Sequence, residues 1–203
     1  MDLISLKETV LQLLRENTPE IFIYHSVTHT LDVLNAVENL MPHFDLDIET
    51  AQLIQAAAIL HETGMTTSAD THEAASVAIA EELLPQFGFK KEQIERIGAM
   101  ILATAMPQNP QTIEAQILCD ADLDYLGRDD YFIISQKLRL EWIKTKNYSS
   151  NLLVWHQFQQ RFLSEHSYFT AAARSLRQQG KKQNIQLIEQ LIRQTTANKG
   201  SEK

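Results

Sequence analysis

Cysteine is nearly missing from this chain. With Cys119 alone among 203 residues, no internal disulfide can form and no cluster of thiolates is available for a structural zinc site. A reducing cytoplasm is the expected compartment. Glycine (6) and proline (5) are scarce and stand singly between periodic segments, so no flexible linker, repeat or low-complexity tract divides the chain. No apolar run is long enough to suggest a membrane span. The start, MDLISLKETVLQLL, is acidic and amphipathic, unlike the basic start and unbroken apolar stretch of a secretory signal. Positive charge is also short, with 18 Lys and Arg against 26 Asp and Glu, a formal charge of -8. That balance disfavours a nucleic-acid polymer or an anionic membrane surface as partner. It leaves room for a small anionic substrate, whose charge a metal and a few cations can meet locally.

What is present is helical periodicity almost throughout, with little strand signal. Residues 3 to 15 carry Leu3, Leu6, Val10, Leu13 and Leu14 on one stripe, and residues 27 to 41 repeat the pattern until Pro42 stops it. The segment 48 to 62 is apolar on most sides and predicts a central, buried helix. Further helices are predicted over 72 to 84, around Ile94, Ile97 and Ile101, and over 117 to 126. Three more are expected at about 130–145, 151–165 and 168–195, the last with a possible break at Gly180. The fold class is all-α, a helical bundle with additional C-terminal helices. At 44% hydrophobic residues the chain can fill one sizeable core, so residues 1–195 are expected to form a single domain and residues 196–203 a mobile tail.

The chemistry gathers around His61-Glu62, which ends the apolar run Ala-Ala-Ala-Ile-Leu and is followed by Thr63-Gly64. Neighbours on a helix are turned by about 100°, so these two side chains can converge on one ion only at a helix end. Gly64, a residue type common just past a helix C-terminus, places them at one. The other nitrogen and oxygen donors are His25 and His29 in YHSVTHT, His72 in THEAAS, and Asp120 and Asp122 in CDADLDYLG. Imidazoles and carboxylates of this kind hold divalent cations that polarise phosphoryl or carbonyl oxygens. His25 and His29 share a face if their helix has begun by Tyr24; if Ser26 or Thr28 is the N-cap, His25 sits in the entry loop. Asp120 and Asp124 share a face nearly opposite Asp122, and the surrounding leucines do not settle which set looks inward.

These residues, in this order, resemble the HD superfamily of metal-dependent phosphohydrolases, named for a His-Asp doublet. His29, with Val33 one turn on, matches the first ligand histidine, and His61-Glu62 followed by Gly64 matches the doublet. His72-Glu73-Ala74-Ala75-Ser76 is similar to the helix that follows it, and Asp122 matches the last ligand aspartate. The similarity spans about residues 21–128. The later DADLDYLG, with Arg139 and Glu141 in LRLEW, resembles a subgroup of predicted phosphohydrolases of open substrate. The resemblance implies an HD-like all-helical fold and a phosphate ester or anhydride as substrate, a nucleotide first among them. It selects Asp122 as a ligand and leaves Asp120 as a group that could orient a histidine.

Two departures from the family pattern bear on the site. Glu62 stands where the family has aspartate, and its extra methylene moves the carboxylate by about 1.5 Å. Thr104 occupies a position where several relatives carry another histidine. Both favour one metal over two. The expected ligands are His29, His61, Asp122 and Glu62, and mixed imidazole and carboxylate donors suit Mn, Fe, Mg, Co, Ni or Zn alike. Glu62, His25 and His72 are the candidates for proton transfer. Tyr24 and Arg139 are the candidates for substrate contact, the guanidinium being suited to phosphate. Each has a plainer reading: a lone histidine usually packs or caps, and Arg139 with Glu141 could be a solvated pair of little weight. His43, His156 and His166 lack a motif and are read as surface or packing residues. The competing function is an HD-fold protein that binds a nucleotide or partner without turnover. Oligomeric state is left open.

Overall fold

The computed structural model describes residues 1–200, with side chains through residue 197, and among them it is all helical with no strand. Nine α-helices are described: α1 (Leu3–Asn17), α2 (Val27–Leu40), α3 (Ile48–Leu60), α4 (His72–Leu83), α5 (Lys91–Ala103), α6 (Ile113–Asp122), α7 (Tyr131–Thr145), α8 (Leu152–Glu165) and α9 (Ala171–Gly200). Two compact units result, Met1–Leu123 and Asp124–Lys203. No described helix is long and apolar enough to cross a membrane.

Several helices start where a short polar side chain can accept a hydrogen bond from the open backbone of the first turn. Asp2 accepts from the Ser5 N–H at 3.0 Å, Asp47 from Thr50 at 2.6 Å, Thr112 from Ala115 at 3.2 Å and Asn151 from Leu153 at 2.9 Å. Thr112 moves the start of α6 ahead of the expected 117, because its cap, rather than the first large apolar residue, sets the boundary. The same helix stops at Asp122, and Asp124–Gly127 turns separately as a 3₁₀ segment.

In the first unit α3 is the axis. It is apolar on most sides, so it is stable only when most of its surface is covered. α1, α2, α5 and α6 pack around it, and α2 also packs on α6. Leu53, Ile54, Ala56, Ala57, Ala58, Ile59 and Leu60 are all buried, and three consecutive alanines let the neighbouring helices approach closely. α4 lies against α5 and against the short 3₁₀ turn Thr63–Thr66.

In the second unit α8 runs along α9, and the 124–127 turn packs on α9 as well. Aromatic rings fill its core, with Trp155 and Tyr131 fully buried and Trp142, Tyr148 and Phe158 around Trp155. α9 continues through Gly180 without a break. A Cβ on Gly180 would lie 2.0 Å from the Gly127 carbonyl oxygen, so this glycine admits a neighbouring backbone and does not end the helix. Asn184 then ties the turn down, donating to the carbonyls of Leu126 and Arg128 at 3.0 Å each. Helix α9 also carries the chain beyond residue 195, and the end of the expected tail, 201–203, lies outside the described residues.

Candidate metal centre

The doublet sits where α3 gives way to the 3₁₀ turn. His61 is the C-cap of α3, with φ −59° and ψ −25°, and Glu62 precedes the turn with φ −98° and ψ −2°. This change of helix type brings two consecutive side chains to one place, as the sequence required. Gly64 lies just past the end of α3, as expected, and serves the junction by its lack of a side chain. Its φ is not positive; instead, a Cβ there would lie 2.0 Å from the His72 carbonyl oxygen and 2.7 Å from the Ser76 nitrogen. The glycine lets the start of α4 pass close behind the doublet. Ser76, fully buried, pins the arrangement: its hydroxyl donates to the His61 carbonyl at 2.8 Å and accepts from the Gly64 N–H at 2.8 Å.

α2 delivers His29, while His25 precedes its N-cap, Ser26, and so approaches from the entry loop. α6 delivers Asp122 as its last residue. One ligand atom each from His29, His61 and Asp122 lie within 4.8 Å of one another, a group able to hold a metal ion. His29 Nε2 is 3.1 Å and His61 Nε2 3.7 Å from Asp122 Oδ1. Glu62 falls outside that tightest group yet faces it, with Oε1 3.5 Å from His61 Nε2, 3.7 Å from His29 Nε2 and 3.9 Å from His72 Nε2. His72 also lies 3.4 Å from Glu73. The His25 ring centroid is 5.6 Å from that of His72 and 6.3 Å from that of His29. Tyr24, buried, stacks on His29 at 4.8 Å.

His61 is oriented by its backbone partner. Nδ1 donates to the Ala58 carbonyl at 2.8 Å, which turns Nε2 toward the carboxylates of Glu62 and Asp122. His72 repeats the device with Ala69 at 3.2 Å. Among the described residues, two buried atoms of the cluster, His61 Nε2 and Glu62 Oε2, have no hydrogen-bond partner. Buried polar atoms are seldom left so, and a cation would satisfy both. The donor set therefore fits a divalent metal.

The electrostatics favour positive charge at this point. Burial opposes charge on His61, but the facing carboxylates of Asp122 and Glu62 outweigh it and push its pKa up to about 9. Burial likewise opposes ionisation of Asp122, yet the contacts from His29 and His61 hold its carboxyl well below the usual range. Glu62 is lowered against its own burial by the charges of His25, His61, His29 and His72. A cation inserted here would take over the role that protons play among these groups.

Asp120, on α6, is buried, and Asp124, which lies past the end of that helix in the 3₁₀ segment, is buried as well. Thr104 is buried at the end of α5, its hydroxyl donating to the Ile101 carbonyl at 2.8 Å. Arg139 belongs to the second unit, where its guanidinium donates to the Ser150 carbonyl and to Gln136. Glu141 is 2% exposed, so the plainer reading of a solvated pair does not hold for it. Gln108, between Pro107 and Asn109 in a loop without periodicity, reaches Asp122 Oδ2 at 3.4 Å. No local pattern marked it. A separate cavity of about 530 Å³, lined among others by Arg96, Leu102, Met106 and Ala115, includes none of the histidines or acids of the cluster.

A helical body whose core helix ends in a buried imidazole and carboxylate cluster defines the class: a candidate metal-binding domain. The family model of the HD domain matches residues 26–124, so this stretch is an HD domain. Among solved structures the chain is similar to the crystal structure of a predicted HD superfamily hydrolase from an uncultured Thermotogales bacterium. The two share 23% identity over 78% of this chain and 91% of that one, with a TM-score of 0.53, a likeness of fold. No curated protein matches the chain.

Proposed function

We propose that this chain is a metal-dependent phosphohydrolase that holds one divalent cation, Mn, Fe, Mg, Co, Ni or Zn, and acts on a small phosphate ester or anhydride, a nucleotide first among them. The supporting observation is the meeting of His29, His61 and Asp122 within 4.8 Å, beside two buried donor atoms that lack partners. The HD domain and the hydrolase description of the similar structure agree with it. When bound, the cation supplies electrophilic polarisation of the phosphoryl oxygen. His29, His61 and Asp122 are the ligands, with Glu62 as the fourth. Released from the metal, Glu62 would take the water's proton, and its Oε2 is buried without a partner. His72 and His25, side by side at the rim, are assigned to the substrate's phosphate and to the proton for the leaving group. Tyr24 borders the cluster through its stack on His29.

The test is elemental analysis of protein purified without chelator, followed by a phosphoester and nucleotide panel with the metal found. The expected result is about one metal per chain and release of phosphate or of a hydrolysed nucleotide, both lost in His61→Ala. Ligand binding without turnover under any metal would favour the competing reading, a regulatory binder whose longer Glu62 marks lost activity. Absence of bound metal would remove the proposal.

A further inference from the structure

The carboxylate of Asp122 has an unfavourable address. It closes α6, where the helix presents its negative end, and its charge lies among buried groups. Its two oxygens are divided. Oδ1 faces His29 and His61 at 3.1 and 3.7 Å, whereas Oδ2 accepts from Gln108 Nε2 at 3.4 Å. The same amide nitrogen donates at 3.3 Å to the Cys119 carbonyl in the last turn of α6, which also accepts from the Leu123 N–H at 3.4 Å. A primary amide carries two N–H groups, so one side chain can tie the backbone of the last turn and the carboxylate at once. The segment carrying it is itself anchored. The Asn109 N–H donates to the Ala103 carbonyl at 3.4 Å, and the Cys119 thiol donates to the same carbonyl at 3.2 Å.

We infer that Gln108 is the positioning residue of the metal centre: its amide fixes the Asp122 carboxylate in the rotation that presents Oδ1 to the two histidines. The inference rests on the proposed metal site. Gln108 touches the oxygen that faces away from the histidines, so it acts through Asp122. Without the amide, the carboxylate is held through Oδ1 alone by His29, turns more freely about its last bond, and populates the three-donor geometry less of the time. Loss of such an outer partner typically costs about 10- to 100-fold in metal affinity.

Two variants separate positioning from simple support. Gln108→Met keeps length and bulk without a donor, and Gln108→Asn keeps the amide but falls a methylene short. Metal-stripped full-length proteins are titrated calorimetrically with Mn²⁺ and, in parallel, Zn²⁺, and each metal-free protein is melted. The expected result is a Kd raised about tenfold or more in both variants, with a smaller fall in metal-free stability from the lost bond to the Cys119 carbonyl. Unchanged Kd values, or a loss of affinity accompanied by an equal fall in metal-free stability, would overturn the inference. If the parent chain takes up neither metal, the proposed metal site fails with it; if the parent binds and the variants bind as well, only the role of Gln108 is lost.

Discussion

In the proposed hydrolase, Glu62 is the residue on which the chemistry turns. In a pocket laid out for an aspartate at this place, the longer arm would overshoot; here its Oε1 stands 3.5 to 3.9 Å from three imidazole nitrogens and Oε2 is buried without a partner. That is the geometry of a site laid out around the longer side chain. Shortening it by about 1.5 Å draws the carboxylate back from all three rings together, toward a backbone that Ser76 and Gly64 hold in place. Glu62→Asp is therefore expected to lower metal content and to reduce kcat/KM at least tenfold. Kinetics on whichever substrate the panel identifies, beside metal analysis, make the measurement. A gain in activity would reveal a glutamate that restrains the site.

Among the elements, two glycines do comparable work in different units. Gly64 admits the start of α4 behind the doublet, and Gly180 admits the Gly127 carbonyl against α9. For Gly180→Ala two effects compete. Alanine gains about 1 kcal/mol of helix propensity, but its Cβ would stand 2.0 Å from a backbone oxygen, which no side-chain rotation relieves. The turn must shift, and with it the two Asn184 hydrogen bonds. Overpacking of this kind costs about 1–3 kcal/mol, and the strained bonds add to it. The variant should unfold at lower urea, by a net amount of about 2 kcal/mol; equal or greater stability would refute the close-approach account.

For the whole molecule, metal binding and folding should be coupled, because the ligands come from α2, the end of α3 and the end of α6, which only the folded unit brings together. At a free metal concentration near a hundred times its Kd the folded form should gain about 2.7 kcal/mol. Thermal melts with and without chelator check this. His61→Ala should lose the metal-dependent part of the melting temperature and keep its helical far-UV signal; a metal response undiminished in that variant would place the cation elsewhere.

The sequence by itself determined most of the helices and marked the candidate ligands. Apolar spacing, cap residues and prolines are local signals, and they placed α2, α3 and α8 to within a residue or two, while His29, His61-Glu62 and Asp122 stood out by residue type and order. The start of α6 and the unbroken course of α9 are not set by apolar spacing, because the first depends on one cap and the second on a backbone from a distant turn. Only the tertiary structure decided that Glu62 lies among three imidazoles, that Gly64 is a passage for α4, and that Gln108 reaches Asp122. Those are contacts between groups separated in the chain, and their distances follow from packing, which periodicity does not encode.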